Sequence, residues 1–383
     1  MEYLADWLSR SYWIDWLGFV ILFLAPAVVA RTMFERKAGC AIYAVWFGLL
    51  VIVKLAVINP RENRDCDIRR RYPRQECILG CTLKRINYAT TRKRVEAVCP
   101  DRRFSTQPDR LSFGVADVSI PLMSSPSVWS YLPRLTTRQE RDLILVDETP
   151  APEAQVLGSV GEGRSLLIYV HGFNTSFPDA LTTTARMSEF LGPDGGDSAM
   201  AFGWHSCDSI LRYREDQRRS STAATELARV ITRIRSKAPQ LAINLICHSM
   251  GCAISRMALI EASPKQGPPV VDTLIMIAPD IPFYQIWGDA EGDWKLSNPM
   301  ARKQYFFVAS DDRALLMSRL LNRDGPRFGS SALPSTPPKG WEPEDATQWS
   351  TDPMNHSYYR TSYSVMAEIR KILRRRPQST ESQ

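Results

Sequence analysis

The stretch 241–252, LAINLICHSMGC, constrains this chain more than any other. Residues 242–246 form a short, mostly apolar run ending in a β-branched residue, the pattern of a buried strand in a parallel sheet. Cys247-His248-Ser249-Met250-Gly251 follows, and then Ala253, Ile254, Met257, Ala258 and Ile260 recur at helical spacing. A strand, a tight turn with serine at its apex and a helix make up a nucleophile elbow. Such a turn is sharp and needs small residues two before and two after the serine. A strained serine backbone holds the hydroxyl clear of the sheet. The following helix turns its N–H groups and positive dipole end toward developing negative charge. Cys247 stands where glycine is usual, and is small enough for the turn. The plainer alternative is a buried strand and a loop with an incidental serine. Two other segments bear on that choice.

The first is 166–170, LLIYV, which runs into His171-Gly172-Phe173-Asn174. In α/β-hydrolases the loop after such a strand donates one N–H of the oxyanion hole, and glycine lets the backbone approach the substrate closely. The elements around it alternate. Strands are expected at 83–89, 113–121 and 142–146, then at 200–204, 270–278 and 304–309. Helices are expected at 181–191, 221–236 and 362–375. In the helix 221–236, Leu227, Val230, Ile231 and Ile234 share one stripe with Arg229, Arg233 and Arg235 off it. This alternation predicts an α/β-hydrolase fold, with a mostly parallel, doubly wound sheet and helices on both faces.

The second segment is Asn355-His356-Ser357, beyond a Gly/Pro-rich loop at about 324–352. The chain has four histidines. His171 and His248 lie inside the motifs above and His205 precedes the elbow, so His356 alone fits the order serine, acid, histidine of this fold. The expected chemistry is attack by Ser249, proton transfer through His356, and an aspartate that orients the imidazole. Asp312, after the later strand, is the preferred acid and Asp280, after the preceding strand, is the alternative. Asp311 is read as facing solvent or capping the following helix. The N–H groups of Phe173 and Met250 are the expected oxyanion donors. His171, Asn174, His205 and His248 are candidates for the substrate pocket. No metal and no organic cofactor is implied.

Composition bears on partners. The net charge is +7, and 61–110 alone holds 14 Lys/Arg against 7 Asp/Glu, so the remainder is near neutral. An excess directly after an apolar segment suits anionic headgroups better than nucleic acid, which is excluded as a partner. Residues 16–30 and 38–58 are two largely uncharged apolar stretches joined by a short basic loop. They predict a transmembrane helical hairpin in 1–60, contacting the bilayer through 13–58. The rivals are a cleaved signal peptide with one span, or a pair of core helices. Cys66, Cys77, Cys81 and Cys99 form an even cluster that reads as two disulfides in an oxidising compartment, against a weaker zinc alternative. The expectation is a multi-pass protein of the bacterial cell membrane with a periplasmic catalytic domain. Its parts are the hairpin 1–60, a basic Cys-containing segment 61–110, the catalytic domain 80–376 and a disordered tail 377–383.

With these residues in hand, the chain resembles a bacterial α/β-hydrolase family of unknown function described as esterase/lipase-like. The resemblance rests on YATTR at 88–92, VHGFNTSF at 170–177, FGWHS at 202–206, YREDQ at 213–217, CHSMG, APD at 278–280, DRAL at 312–315 and NHSYY at 355–359. It covers about residues 80 to 376. Two positions depart from the family pattern: Cys247 replaces glycine, and His205 replaces the usual proline. The resemblance implies a serine hydrolase, a carboxylesterase or lipase-like enzyme acting on a small-molecule or lipid-like ester. Its match to DRAL favours Asp312. The alternatives are an amidase or thioesterase of the same fold, or a catalytically idle scaffold that binds a partner at the membrane.

Overall fold

The computed structural model describes residues 81–97, 99–121, 144–263, 267–287, 300–330, 340–349 and 354–374. They carry nine strands: β1 (Cys81–Arg94), β2 (Phe104–Pro121), β3 (Ile144–Pro150), β4 (Ser165–Val170), β5 (Ser198–Gly203), β6 (Ala242–His248), β7 (Val271–Ile277), β8 (Ala301–Val308) and β9 (Trp341–Asp345). Eight α-helices accompany them: α1 (Glu153–Gly161), α2 (Phe177–Leu191), α3 (Tyr213–Lys237), α4 (Met250–Ala262), α5 (Tyr284–Trp287), α6 (Arg313–Asn322), α7 (Tyr358–Thr361) and α8 (Tyr363–Arg374). The strands form one sheet in the order β3-β2-β1-β5-β4-β6-β7-β8-β9. From β1 through β9 the neighbours pair in parallel, while β2 and β3 are antiparallel.

Alternation along the strands explains the layers. Ile243, Leu245 and Cys247 of β6 enter one core with Val156 and Val160 of α1, Leu227, Val230 and Ile231 of α3, and Ile254 and Ala258 of α4. Ile246 enters the opposite core with Leu181 and Ala185 of α2 and Val365 and Ile369 of α8. A strand buried on both faces reads as a continuous apolar run, which is how 242–246 and 166–170 read. β6 sits at the centre, paired with β4 and β7, so the turn that follows it emerges mid-sheet.

β1 and β2 are longer than expected, the short helices α5 and α7 are additional, and four further details differ from the sequence reading. Helix α3 begins at Tyr213, eight residues before the stripe at 221. That first stretch is charged, yet Asp216 is buried and accepts from Ser206 Oγ at 2.6 Å and the Cys207 N–H at 2.7 Å. Helix α1 was not expected. Nor was β9, WEPED, which sat inside the expected loop. It is an edge strand beside β8, and an edge tolerates the missing N–H of Pro343.

The fourth concerns the membrane. Multi-pass localisation with a periplasmic catalytic domain is corrected: no helix among the described residues is long and apolar enough to cross a membrane. A span needs about 20 consecutive apolar residues. Helix α3 is 25 residues long but carries a charged face opposite its buried stripe, as a water-facing helix does. The stretches 16–30 and 38–58, Cys66, Cys77 and the tail 377–383 lie outside the described residues. Of the other two clustered cysteines, Cys81 opens β1 and Cys99 is disulfide-bonded. Cys207, Cys247 and Cys252 are free, buried thiols.

Candidate active site

β6 delivers Ser249 to the apex of the turn with φ 52° and ψ −123°, a left-handed conformation that non-glycine residues adopt at a cost. Neighbouring strands hold it there. The Ser249 N–H donates to the Ile277 carbonyl at 3.0 Å, and its own carbonyl accepts from the N–H of Cys252 at 2.9 Å and of Asp280 at 3.2 Å. Two glycines make the turn possible. A Cβ on Gly251 would lie 2.4 Å from the His171 carbonyl oxygen, and one on Gly172 would lie 3.0 Å from Ser249 Cβ. The loop after β4 therefore presses directly on the elbow, and neither position has room for a side chain. Cys247 fits where glycine is usual because its side chain turns into the core and its thiol donates to the Ile275 carbonyl at 3.7 Å. Burial pushes the Cys252 thiol well above its ordinary range, so it stays protonated and is no competing nucleophile.

The loop before α7 brings His356 to this place. Its ring lies 4.6 Å, centre to centre, from that of His248, the residue preceding the serine. Its Nδ1 is 2.7 Å from Asp312 Oδ2. The Asp312 side chain is buried while that of His356 is 14 % exposed, so the imidazole keeps access to an incoming molecule. Asp312 also caps α6, accepting the Leu315 N–H at 2.8 Å. Asp311 is exposed, as the solvent-facing reading expects, and the cap role belongs to its neighbour.

Asp280 is engaged elsewhere. It accepts from Ser318 Oγ at 2.6 Å and Tyr213 OH at 2.7 Å, and lies 3.3 Å from Arg327 Nε in a buried ion pair. Tyr213 in turn packs edge-on against Phe173, with ring centres 5.2 Å apart. Asp280 is thereby linked through Tyr213 to the loop that carries Phe173.

The remaining candidates are mostly braces. His171 is fully buried, stacked on Trp204, with Nδ1 2.8 Å from the Gly172 carbonyl. His205 Nδ1 lies 2.7 Å from Thr91 Oγ1, so the imidazole that replaces proline finds a hydroxyl of the YATTR segment. Arg92 from the same segment is buried and donates to the Thr175 carbonyl at 2.7 Å, bracing the Phe173 loop from beneath. Asn174 is exposed at φ 53° and makes the loop's left-handed turn. Sequence reasoning missed Arg92, Tyr213 and Tyr358, whose hydroxyl ties the Phe307 carbonyl to the Ala278 N–H across β7 and β8. Each lies in a motif carried by the resemblance, which was the available signal. Among the described residues no group of His, Cys, Asp and Glu could hold a metal ion.

Three of the four histidines are held neutral by burial. His171 is lowered to about 3 and His205 to about 4, each by desolvation first and nearby arginines second. His248 is lowered well below the usual range by burial and by His356. In the unfolded chain all three titrate near 6.5. Below that pH the unfolded state binds protons that the folded state refuses, so stability falls as pH is lowered toward 3–4. His171 alone should cost roughly 2 kcal/mol at pH 5 relative to pH 7. The urea midpoint should therefore drop markedly between these two pH values, and an unchanged midpoint would contradict burial of neutral imidazoles.

This sheet order, with a strand–serine–helix turn at its centre, defines an α/β-hydrolase. The family model "alpha/beta hydrolase of unknown function (DUF900)" matches residues 154–376, and the chain belongs to that family. Solved structures that match include a Trichoderma reesei cutinase in complex with a phosphonate inhibitor, at 11 % identity and TM-score 0.23. That match covers 33 % of this chain and 59 % of the cutinase, so the chain spans somewhat over half of its length. An esterase from Rhizomucor miehei matches at 14 % identity and TM-score 0.33, over 80 % of this chain and 90 % of its own. A peroxisomal α/β-hydrolase from Saccharomyces cerevisiae matches at 11 % identity and TM-score 0.22, over 52 % of this chain and 46 % of its own. No curated protein matches in sequence.

Proposed function

We propose that the protein is a serine hydrolase that cleaves carboxylic esters through an acyl-enzyme. The observation that carries this reading is the His356–Asp312 contact of 2.7 Å, with the His356 ring 4.6 Å from that of His248, the residue preceding the strained Ser249. Asp312 accepts a hydrogen bond from the Nδ1–H of His356, which keeps the proton on Nδ1 and leaves the Nε2 lone pair free to take the Ser249 proton. Ser249 Oγ then attacks the acyl carbon. The N–H groups of Met250 and Phe173 bind the resulting oxyanion, Met250 because the first N–H groups of a helix have no acceptor within it. His356 returns the proton to the departing alcohol, and water releases the acyl group by the same steps in reverse.

An apolar, lipid-like acyl chain is the substrate this reading favours, as the resemblance to esterase/lipase-like hydrolases implies. Each buried methylene contributes about 0.8 kcal/mol, roughly fourfold. The ratio kcat/KM for p-nitrophenyl esters should thus rise about tenfold or more from butyrate to octanoate. The mechanism itself is tested with a fluorophosphonate probe, which should label wild type and not the Ser249→Ala variant. Absence of labelling in folded wild type would instead favour a hydrolase fold that binds without turnover.

A further inference from the structure

The loop that carries His356 is fastened at more points than the histidine itself. Asp311 and Asp312 are consecutive at the end of β8, and Asn355 and His356 are consecutive before α7. Asn355 Nδ2 donates to Asp311 Oδ2, and His356 Nδ1 meets Asp312 Oδ2 at 2.7 Å. The Arg313 N–H donates to the Met354 carbonyl at 2.9 Å. Two adjacent carboxylates on one loop therefore hold two adjacent side chains on the other, with a backbone bond beside them. On the opposite side, His248 Nε2 lies 3.1 Å from the His356 carbonyl. A carbonyl only accepts, so Nε2 carries the proton and donates.

The Asn355 backbone explains why this fastening matters. Its φ is 52°, in the left-handed region that asparagine tolerates better than most residues. A left-handed residue directly before His356 reverses the chain there and sets the direction in which the imidazole leaves the backbone. Its carboxamide, tied to Asp311, holds that turn against relaxation to an extended form.

We infer that Asp311 and Asn355 are a positioning pair, setting the orientation of the His356 imidazole between Ser249 and Asp312. The inference rests on the triad reading above. Neither residue touches the reacting atoms, so its signature is a loss in kcat with KM little changed. A misaligned general base costs rate in proportion to its displacement, and Asn355→Ala and Asp311→Ala should each lower kcat roughly 10- to 100-fold with KM within about twofold. Asn355→Gly keeps the left-handed turn without the carboxamide, and should fall between wild type and Asn355→Ala.

The deciding experiment is the exchange Asp311→Asn with Asn355→Asp, assayed on a soluble p-nitrophenyl ester and checked by circular dichroism. It restores a carboxamide–carboxylate bond in the reverse sense, while Asn355→Asp alone sets two carboxylates against each other. Recovery of most of the wild-type kcat in the exchange, from a low value in Asn355→Asp, is the expected result. Failure to recover in a folded exchange variant, or wild-type kcat in Asn355→Ala, would overturn the inference. Should Asn355→Ala not fold, the glycine and exchange variants carry the test. Ser249→Ala and His356→Ala separate the two levels: if these are inactive while every 311 and 355 variant is fully active, only the positioning role falls. If they are active too, the triad reading falls with it.

Discussion

Replacing Ser249 with alanine should lower kcat for a soluble ester by roughly 10⁵- to 10⁶-fold while the protein stays folded. In the proposed mechanism the hydroxyl becomes acylated, so the variant would lose the covalent route outright and keep only ground-state binding and the oxyanion donors. Stability should change little for a physical reason. Ser249 is held at φ 52° by its backbone bond to the Ile277 carbonyl and by those from the Cys252 and Asp280 N–H groups, all of which an alanine retains. The strain of the left-handed turn is nearly the same for both residues. Burst kinetics and a melting curve on the same preparation are the measurements. A folded Ser249→Ala enzyme that keeps more than a few per cent of wild-type kcat would end the serine mechanism.

The second large effect separates the two aspartates. Asp312→Asn should lower kcat by roughly 10⁴-fold with little loss of stability. An asparagine at 312 still offers an oxygen to cap α6 through the Leu315 N–H, so the helix start survives. What is lost is the carboxylate that, in the proposed mechanism, fixes the tautomer of His356 and stabilises its charged form. Asp280→Asn should show the reverse pattern. It leaves the buried Arg327 with a weakened partner and disturbs the bonds to Ser318 and Tyr213. Breaking a buried pair of this kind costs about 3 kcal/mol or more, whereas its effect on kcat should be smaller and act through Tyr213 and the Phe173 loop. Paired kcat and urea-midpoint measurements make the comparison. A larger kcat loss in folded Asp280→Asn than in Asp312→Asn would reassign the acid.

The elements that sequence reasoning located well share a property. β4, β6 and the start of α4 are central, and central strands carry uninterrupted apolar runs that few other arrangements produce. The edges were harder to read. β9 contains Pro343 and acidic residues at 342, 344 and 345, and among the described residues has one neighbouring strand to dictate its composition. Helix α3 hid its first two turns because Tyr213 and Asp216 bury polar atoms there. Their partners lie far along the chain at Asp280, or at Ser206, and a polar residue buried by a remote partner leaves no periodic trace. Asp311 illustrates the same limit at closer range. It is exposed, as one of its two readings had it, but the cap is Asp312 and the partner of Asp311 is 44 residues away.

From its residues alone this chain declared a strand–serine–helix turn, a glycine loop after the neighbouring strand, and one histidine late enough to serve them. Those features are local, set by steric demands over a few consecutive positions. Folding had to choose which carboxylate meets that histidine, because Asp280 and Asp312 both end strands of the same sheet and differ only in what surrounds them in space. Arg327, Ser318 and Tyr213 claim the first, and the loop at 354–356 reaches the second. A hydrogen bond depends on a distance of about 3 Å through space, and sequence separation carries no information about it.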